Sequence, residues 1–225
     1  MSSTPKHMRK ESSLLLPSYY STILLFFLLF YILSEVSSEW IDSLYRKQPE
    51  TLTYPRNAKT RAIFRKPFLF VGYAILFLFC LDSPLPVLID RLLLIYFLLL
   101  TICTDFEQYV IFDRILLPFG LLAFPMMALL GLPWMDHLLA ALIGGAVFLL
   151  LAILTRGGIG GGDIKLIFVL GLWLGSRTLL GTVILGFCLG GVAALFFLLS
   201  KQKKRKEFFA YGPYFSIAAL LLSLK

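Results

Sequence analysis

Long apolar runs, broken by short polar stretches, set the pattern of this chain. Eight runs read as membrane spans, at roughly 13–33, 67–81, 87–104, 115–132, 138–155, 164–175, 178–200 and 209–224. A crossing helix needs about 20 apolar residues, fewer where it is short or the bilayer thins. The breaks between runs carry stop signals. Asp82-Ser83-Pro84-Leu85-Pro86 ends one helix with two prolines. Pro133 to His137 forms a turn, and Ser176-Arg177 interrupts the last third. The longest polar stretch runs from about Ser34 to Lys66 and reads as a link.

Composition agrees with that pattern. The chain has 225 residues, 59% of them hydrophobic and 15% charged, with a mean hydropathy of +0.85. Soluble domains are about 45–50% apolar. The expected fold is therefore all-α, a polytopic membrane helical bundle of about eight transmembrane helices in a single domain over 1–225. Within it, 87–225 reads as the core that carries the chemistry, and 1–66 as an N-terminal span with a basic link. The first run lacks a convincing small-residue cleavage site and other spans follow it, so a removable signal peptide is not expected.

The net charge of +8 points to membrane orientation rather than to nucleic acid. Arg46–Lys66 and Lys201–Lys206 carry most of the basic charge and are placed in the cytoplasm. Counting spans then puts the links around Asp105 and Gly157–Gly162 on that same side, with both termini outside. Lys6, Arg9 and Lys10 oppose this weakly.

The candidate chemistry lies in Gly157-Gly158-Ile159-Gly160-Gly161-Gly162-Asp163-Ile164-Lys165. Five glycines in six residues do not extend a helix cheaply and read as an irregular loop at a membrane edge. The stretch fits neither a phosphate loop nor a dinucleotide fingerprint. An aspartate at the hydrocarbon boundary needs a partner or a task. The best partner is Asp105, in Thr104-Asp105-Phe106-Glu107-Gln108-Tyr109-Val110-Ile111-Phe112-Asp113-Arg114. Glu107 and Asp113 are possible supporting acids. Glu107 has no obvious partner, and Asp113 is expected to pair with the adjacent Arg114. Asp90-Arg91 reads as a structural pair or as snorkelling charges. His7 and His137 are the only histidines, and Cys80, Cys103 and Cys188 lack C-x-x-C spacing, so no metal site is expected. The glycine pairs at 171/175 and 186/190 read as close helix contacts.

These residues resemble a known family. Gly160-Gly161-Gly162-Asp163-Ile164-Lys165-Leu166 is similar to the G-x-G-D-x-K-L signature of the type IV prepilin peptidases, membrane aspartic proteases. Asp105, Asp113 and Pro118 resemble their upstream D-x(7)-D-x(4)-P segment, although Phe112 stands where a proline is frequent. Tyr211-Gly212-Pro213-Tyr214 resembles the motif opening their last helix. The resemblance implies Asp105 and Asp163 as the catalytic pair, and Gly160, Gly162, Lys165, Gly212 and Pro213 as loop or substrate-binding residues. It implies prepilin or pseudopilin precursors as substrates, cut after a short basic leader at the cytoplasmic face of a bacterial inner membrane. No cofactor is implied, save S-adenosylmethionine if the methyltransferase activity of many members is retained. Residues 34–66 contain no cysteine, so the zinc module of many members is not expected.

Two close aspartates cannot both ionise easily and so share a proton, one acting as base and the other as acid. Other readings stay open. A presenilin-like protease shares Gly-x-Gly-Asp, but carries Tyr-Asp where Thr104-Asp105 stands here. A non-enzymatic membrane protein, either a transporter or an inactive binder of pilin-like helices, also fits intramembrane acids and broken helices.

Overall fold

The computed structural model describes residues 6–156, 158–200 and 210–224, with side chains from residue 24 onward except 197–198. Gly157, the Lys201–Lys206 link and the side chains of Lys6, Arg9 and Lys10 lie outside the described residues. Eight α-helices follow in order: α1 (Lys6–Lys47), α2 (Ala58–Arg61), α3 (Arg65–Leu78), α4 (Leu85–Gln108), α5 (Asp113–Leu130), α6 (Trp134–Leu154), α7 (Gly161–Leu199) and α8 (Gly212–Ser223). Among the described residues there are no strands. The molecule is an all-α bundle, and among the described residues five helices are long and apolar enough to cross a membrane.

The first expected span needs correction. It ends at residue 33 in the hydropathy pattern, yet α1 continues to Lys47. Ser34, Ser37, Ser38, Ile41, Leu44 and Tyr45 are all buried. They recur at helical spacing and form one stripe, which α1 lays against α3 and α4. The serines hide the stripe from a hydropathy count. They are satisfied locally, Ser37 Oγ lying 2.6 Å from the Leu33 carbonyl and 2.9 Å from the Tyr73 hydroxyl.

The expected sixth and seventh spans form one element that doubles back. α7 breaks at Gly175, whose φ of 68° and ψ of 176° suit only glycine. A straight helix would separate residues 163 and 190 by about 40 Å. Yet Asp163 lies by Gly212, and a Cβ on Gly190 would lie 3.0 Å from the neighbouring Tyr211. The two arms of α7 are therefore antiparallel. Asp136, at the start of α6, holds the turn by accepting from the Ser176 amide at 3.0 Å and from its hydroxyl at 2.5 Å. A Cβ on Gly175 would sit 2.5 Å from the same carboxylate.

The core gathers on α7. Its first arm packs on α6, where a Cβ on Gly171 would strike the backbone of Ala140 and Ala141. Its second arm packs on α8, where Gly186 makes room for the Phe215 ring. Phe97 of α4, Phe119 of α5 and Trp173 of α7 stack with centroids 5.0 Å apart at each step. The Trp173 indole donates to the Phe119 carbonyl at 2.8 Å. α3 and α8, with 14 and 12 residues, are too short to span about 30 Å of hydrocarbon on their own. Both expected spans there are shorter than the hydropathy pattern implies.

Candidate active site

One end of the bundle collects the ends of α1 and α4 and the starts of α3, α5, α7 and α8. Asp105 lies in the last turn of α4, and Asp163 is the third residue of α7. Asp105 is 4% exposed and Asp163 8%. They are close enough to repel one another when both are ionised, and the Gly212 amide at the start of α8 is a polar neighbour of both. Asp105 Oδ2 and Asp163 Oδ1 are fully buried and have no hydrogen-bond partner. A buried carboxylate oxygen left unpartnered is costly. Two of them at one spot single out this end of the bundle as the candidate site.

Backbone geometry brings the pair together. α4 ends at Tyr109, whose left-handed conformation (φ 55°, ψ 38°) turns the chain away just after Asp105. In the link that follows, Ile111 packs against both Gly162 and Gly212. A Cβ on Gly212 would come within 2.5 Å of Asp105 Oδ2 and 2.8 Å of Ile111 Cδ1. A Cβ on Gly162 would lie 3.0 Å from Ile111 Cβ, and one on Gly160 3.3 Å from Asp163 Oδ2. These glycines are needed for close approach around the acids. Pro213 follows as a buried first-turn proline of α8, where its missing N–H costs nothing. The first turns of α7 and α8 thus flank the pair, with the Asp163 and Ile164 amides donating to the Gly160 carbonyl and the Tyr214 and Phe215 amides to the Tyr211 carbonyl.

Other expected residues fall elsewhere. Lys165 binds Asp113 through both carboxylate oxygens, at 2.7 and 2.8 Å, at the protein surface. Asp113 therefore pairs across two helices rather than with Arg114, which corrects the sequence expectation. Glu107, expected to lack a partner, has two. It accepts from the Tyr45 hydroxyl and from Arg65 Nε, each at 2.9 Å. Arg65 also donates to the Ser38 carbonyl at 2.9 Å and to Asp42 at 2.8 Å. This buried network ties α1 and α3 to the last turn of α4, two residues from Asp105. Neither Tyr45 nor Arg65 was legible as part of the site. An arginine among the basic residues of 46–66 looks like orientation charge until the fold buries it.

The link between α1 and α3 also rests on this end. The Tyr54 amide donates to Gln108 Oε1 at 2.9 Å, and Arg61 donates to the Phe106 carbonyl at 2.9 Å while covering the Tyr54 ring. At the opposite end, His137 is buried and donates through Nδ1 to the Leu172 carbonyl at 2.8 Å. Arg91 there donates to Ser83 Oγ at 3.0 Å. Among the described residues no three metal-capable side chains cluster.

The fold and the site define a polytopic helical membrane protein with two buried aspartates meeting at one end of the bundle. Residues 92–195, which contain both aspartates, match the model of the type IV leader peptidase family. Over that stretch, a little under half of its length, the chain is similar to the peptidases of that family. No curated protein and no solved structure matches the chain.

Proposed function

We propose that the protein is a membrane aspartic endopeptidase that removes the short basic leader from type IV prepilin-like precursors at the cytoplasmic membrane face. The observation that supports this most is the pair of buried, unpartnered oxygens on Asp105 and Asp163 beside one backbone amide. In this reading the pair holds one proton between its two carboxylates. The ionised carboxylate takes a proton from water, whose oxygen adds to the scissile carbonyl carbon. The protonated carboxyl hydrogen-bonds the carbonyl oxygen and stabilises the resulting oxyanion. Collapse of that intermediate breaks the C–N bond, and the leaving nitrogen takes a proton from the pair. The carboxylates end with the one proton they began with. No metal or organic cofactor enters any step.

The acids lie at one end of the bundle, next to the basic link. That placement suits a cut at a membrane face better than the bilayer-centred cut of a presenilin-like protease or the mid-membrane ion path of a transporter. The test incubates purified protein with a prepilin in detergent and follows the shortened product. Asp105→Asn and Asp163→Asn each lower kcat by roughly 10³-fold or more while the protein stays folded in the membrane. Processing at the normal rate by either variant removes that residue from the mechanism.

A further inference from the structure

α5 and α6 are consecutive and joined by only three residues, 131–133. Helices joined so tightly ordinarily pack as antiparallel neighbours. Here they hardly touch, and each packs on α7 instead. At the end away from the aspartates, Phe124 and Trp134 close the gap with ring centroids 6.2 Å apart. Toward the aspartates it opens into a cavity of about 870 Å³. Its walls are almost wholly apolar, and their charged residues are Asp113 and Lys165 at the open end. The slot follows α5 from Asp113 to Phe124, about 16 Å or three helical turns. Gly120 and Gly145, which have no side chain, and Ala146 are part of its wall. Small residues let a further helix approach closely, which is how helices associate in a bilayer.

We propose that this slot receives the apolar helix of the substrate, a precursor with one membrane-spanning helix and a polar junction at its cytoplasmic end. The proposal rests on the peptidase reading above. Three features favour a helix over loose lipid. The slot is wedge-shaped, shut at one end and open at the end where the reaction occurs. Its open end lies within one helical turn of the aspartates along α7, because Ile164 and Lys165, the two residues after Asp163, line it. Its mouth carries the Lys165–Asp113 pair, both partners more than half accessible, which offers a charge of either sign to polar groups at the junction. A helix seated there brings its first residues to the level of Asp163 and leaves the leader in water.

The experiment uses the full chain in phospholipid vesicles. A photoreactive residue is placed at Leu121 or Leu142, which line the slot and are 60% and 59% exposed, or at Val192, which is 69% exposed on the second arm of α7. The Asp163→Asn background holds precursor without cutting it. Adducts with the precursor from 121 and 142 but not from 192 are expected. Adducts with lipid alone, or equal yields from all three positions, overturn the proposal. In the active protein, Leu121→Trp and Leu142→Trp fill the slot without entering the core. They raise KM for the membrane-borne precursor roughly tenfold, leave kcat unchanged, and leave cleavage of a short peptide spanning only the junction unaffected. Kinetics within about twofold of the parent, or an equal loss on the peptide, overturn the proposal. Failure of the unsubstituted protein to cut any precursor instead counts against the peptidase reading, so the two failures are distinguishable.

Discussion

Gly212→Ala is the sharpest test of how the site is built. The added Cβ meets Asp105 Oδ2 at 2.5 Å and Ile111 Cδ1 at 2.8 Å. Ordinary contact begins near 3.4 Å, so the carboxylate or the start of α8 must retreat by about half an ångström to one ångström. Asp105 is 4% exposed and Ile111 packs against the core, so neither yields easily. A misplacement of about 1 Å at a reacting group costs on the order of 100-fold in rate. The expected result is kcat on a prepilin lowered about 100-fold, with KM little changed, because binding of the substrate helix does not involve this contact. Gly161→Ala serves as the control. Its Cβ would meet nothing within 4 Å, so its kcat stays close to the parent. A thermal melt in detergent checks that both variants fold. A folded Gly212→Ala protein that cuts at the parent rate refutes the geometry drawn here for Asp105 and Gly212.

Two further expectations concern the frame around the site. Arg65→Met strands the buried carboxylate of Glu107 and costs about 3–5 kcal/mol in a denaturant or thermal titration. Adding Glu107→Gln recovers much of that loss, and a double variant no more stable than the single one argues against the pairing. Gly175→Ala forces a side chain into a left-handed turn against Asp136 and lowers stability by about 1–3 kcal/mol. An unchanged melting temperature refutes the antiparallel reading of α7.

The bundle was largely legible because lipid imposes one rule, internal satisfaction of every backbone group, and long apolar runs obey it visibly. The break after residue 175 was legible from Ser176-Arg177, but Gly175 itself read as a helix contact and is the turn. A glycine in the spacing of a helix contact and a glycine at a turn look alike until φ is known. Residues 34–45 misled in the opposite sense, since buried serines that bond their own helix carbonyls count as polar. Asp163 announced itself by an aspartate following five glycines, and Asp105 by its place at the end of an apolar run. The partner of Glu107 did not, because Arg65 is 42 positions away and resembles its basic neighbours.

By itself the sequence determined the class of solvent, the helical content, the two acids worth pairing and the glycines beside them. These follow from local composition, which hydrocarbon and backbone freedom constrain residue by residue. Only the tertiary structure decided that α4, α7 and α8 bring Asp105, Asp163 and Gly212 to one point. It also decided that Lys165 pairs with Asp113, and that α5 and α6 leave a slot between them. Those facts depend on which helix faces turn toward one another, and helix packing sums many weak contacts among residues far apart in the chain.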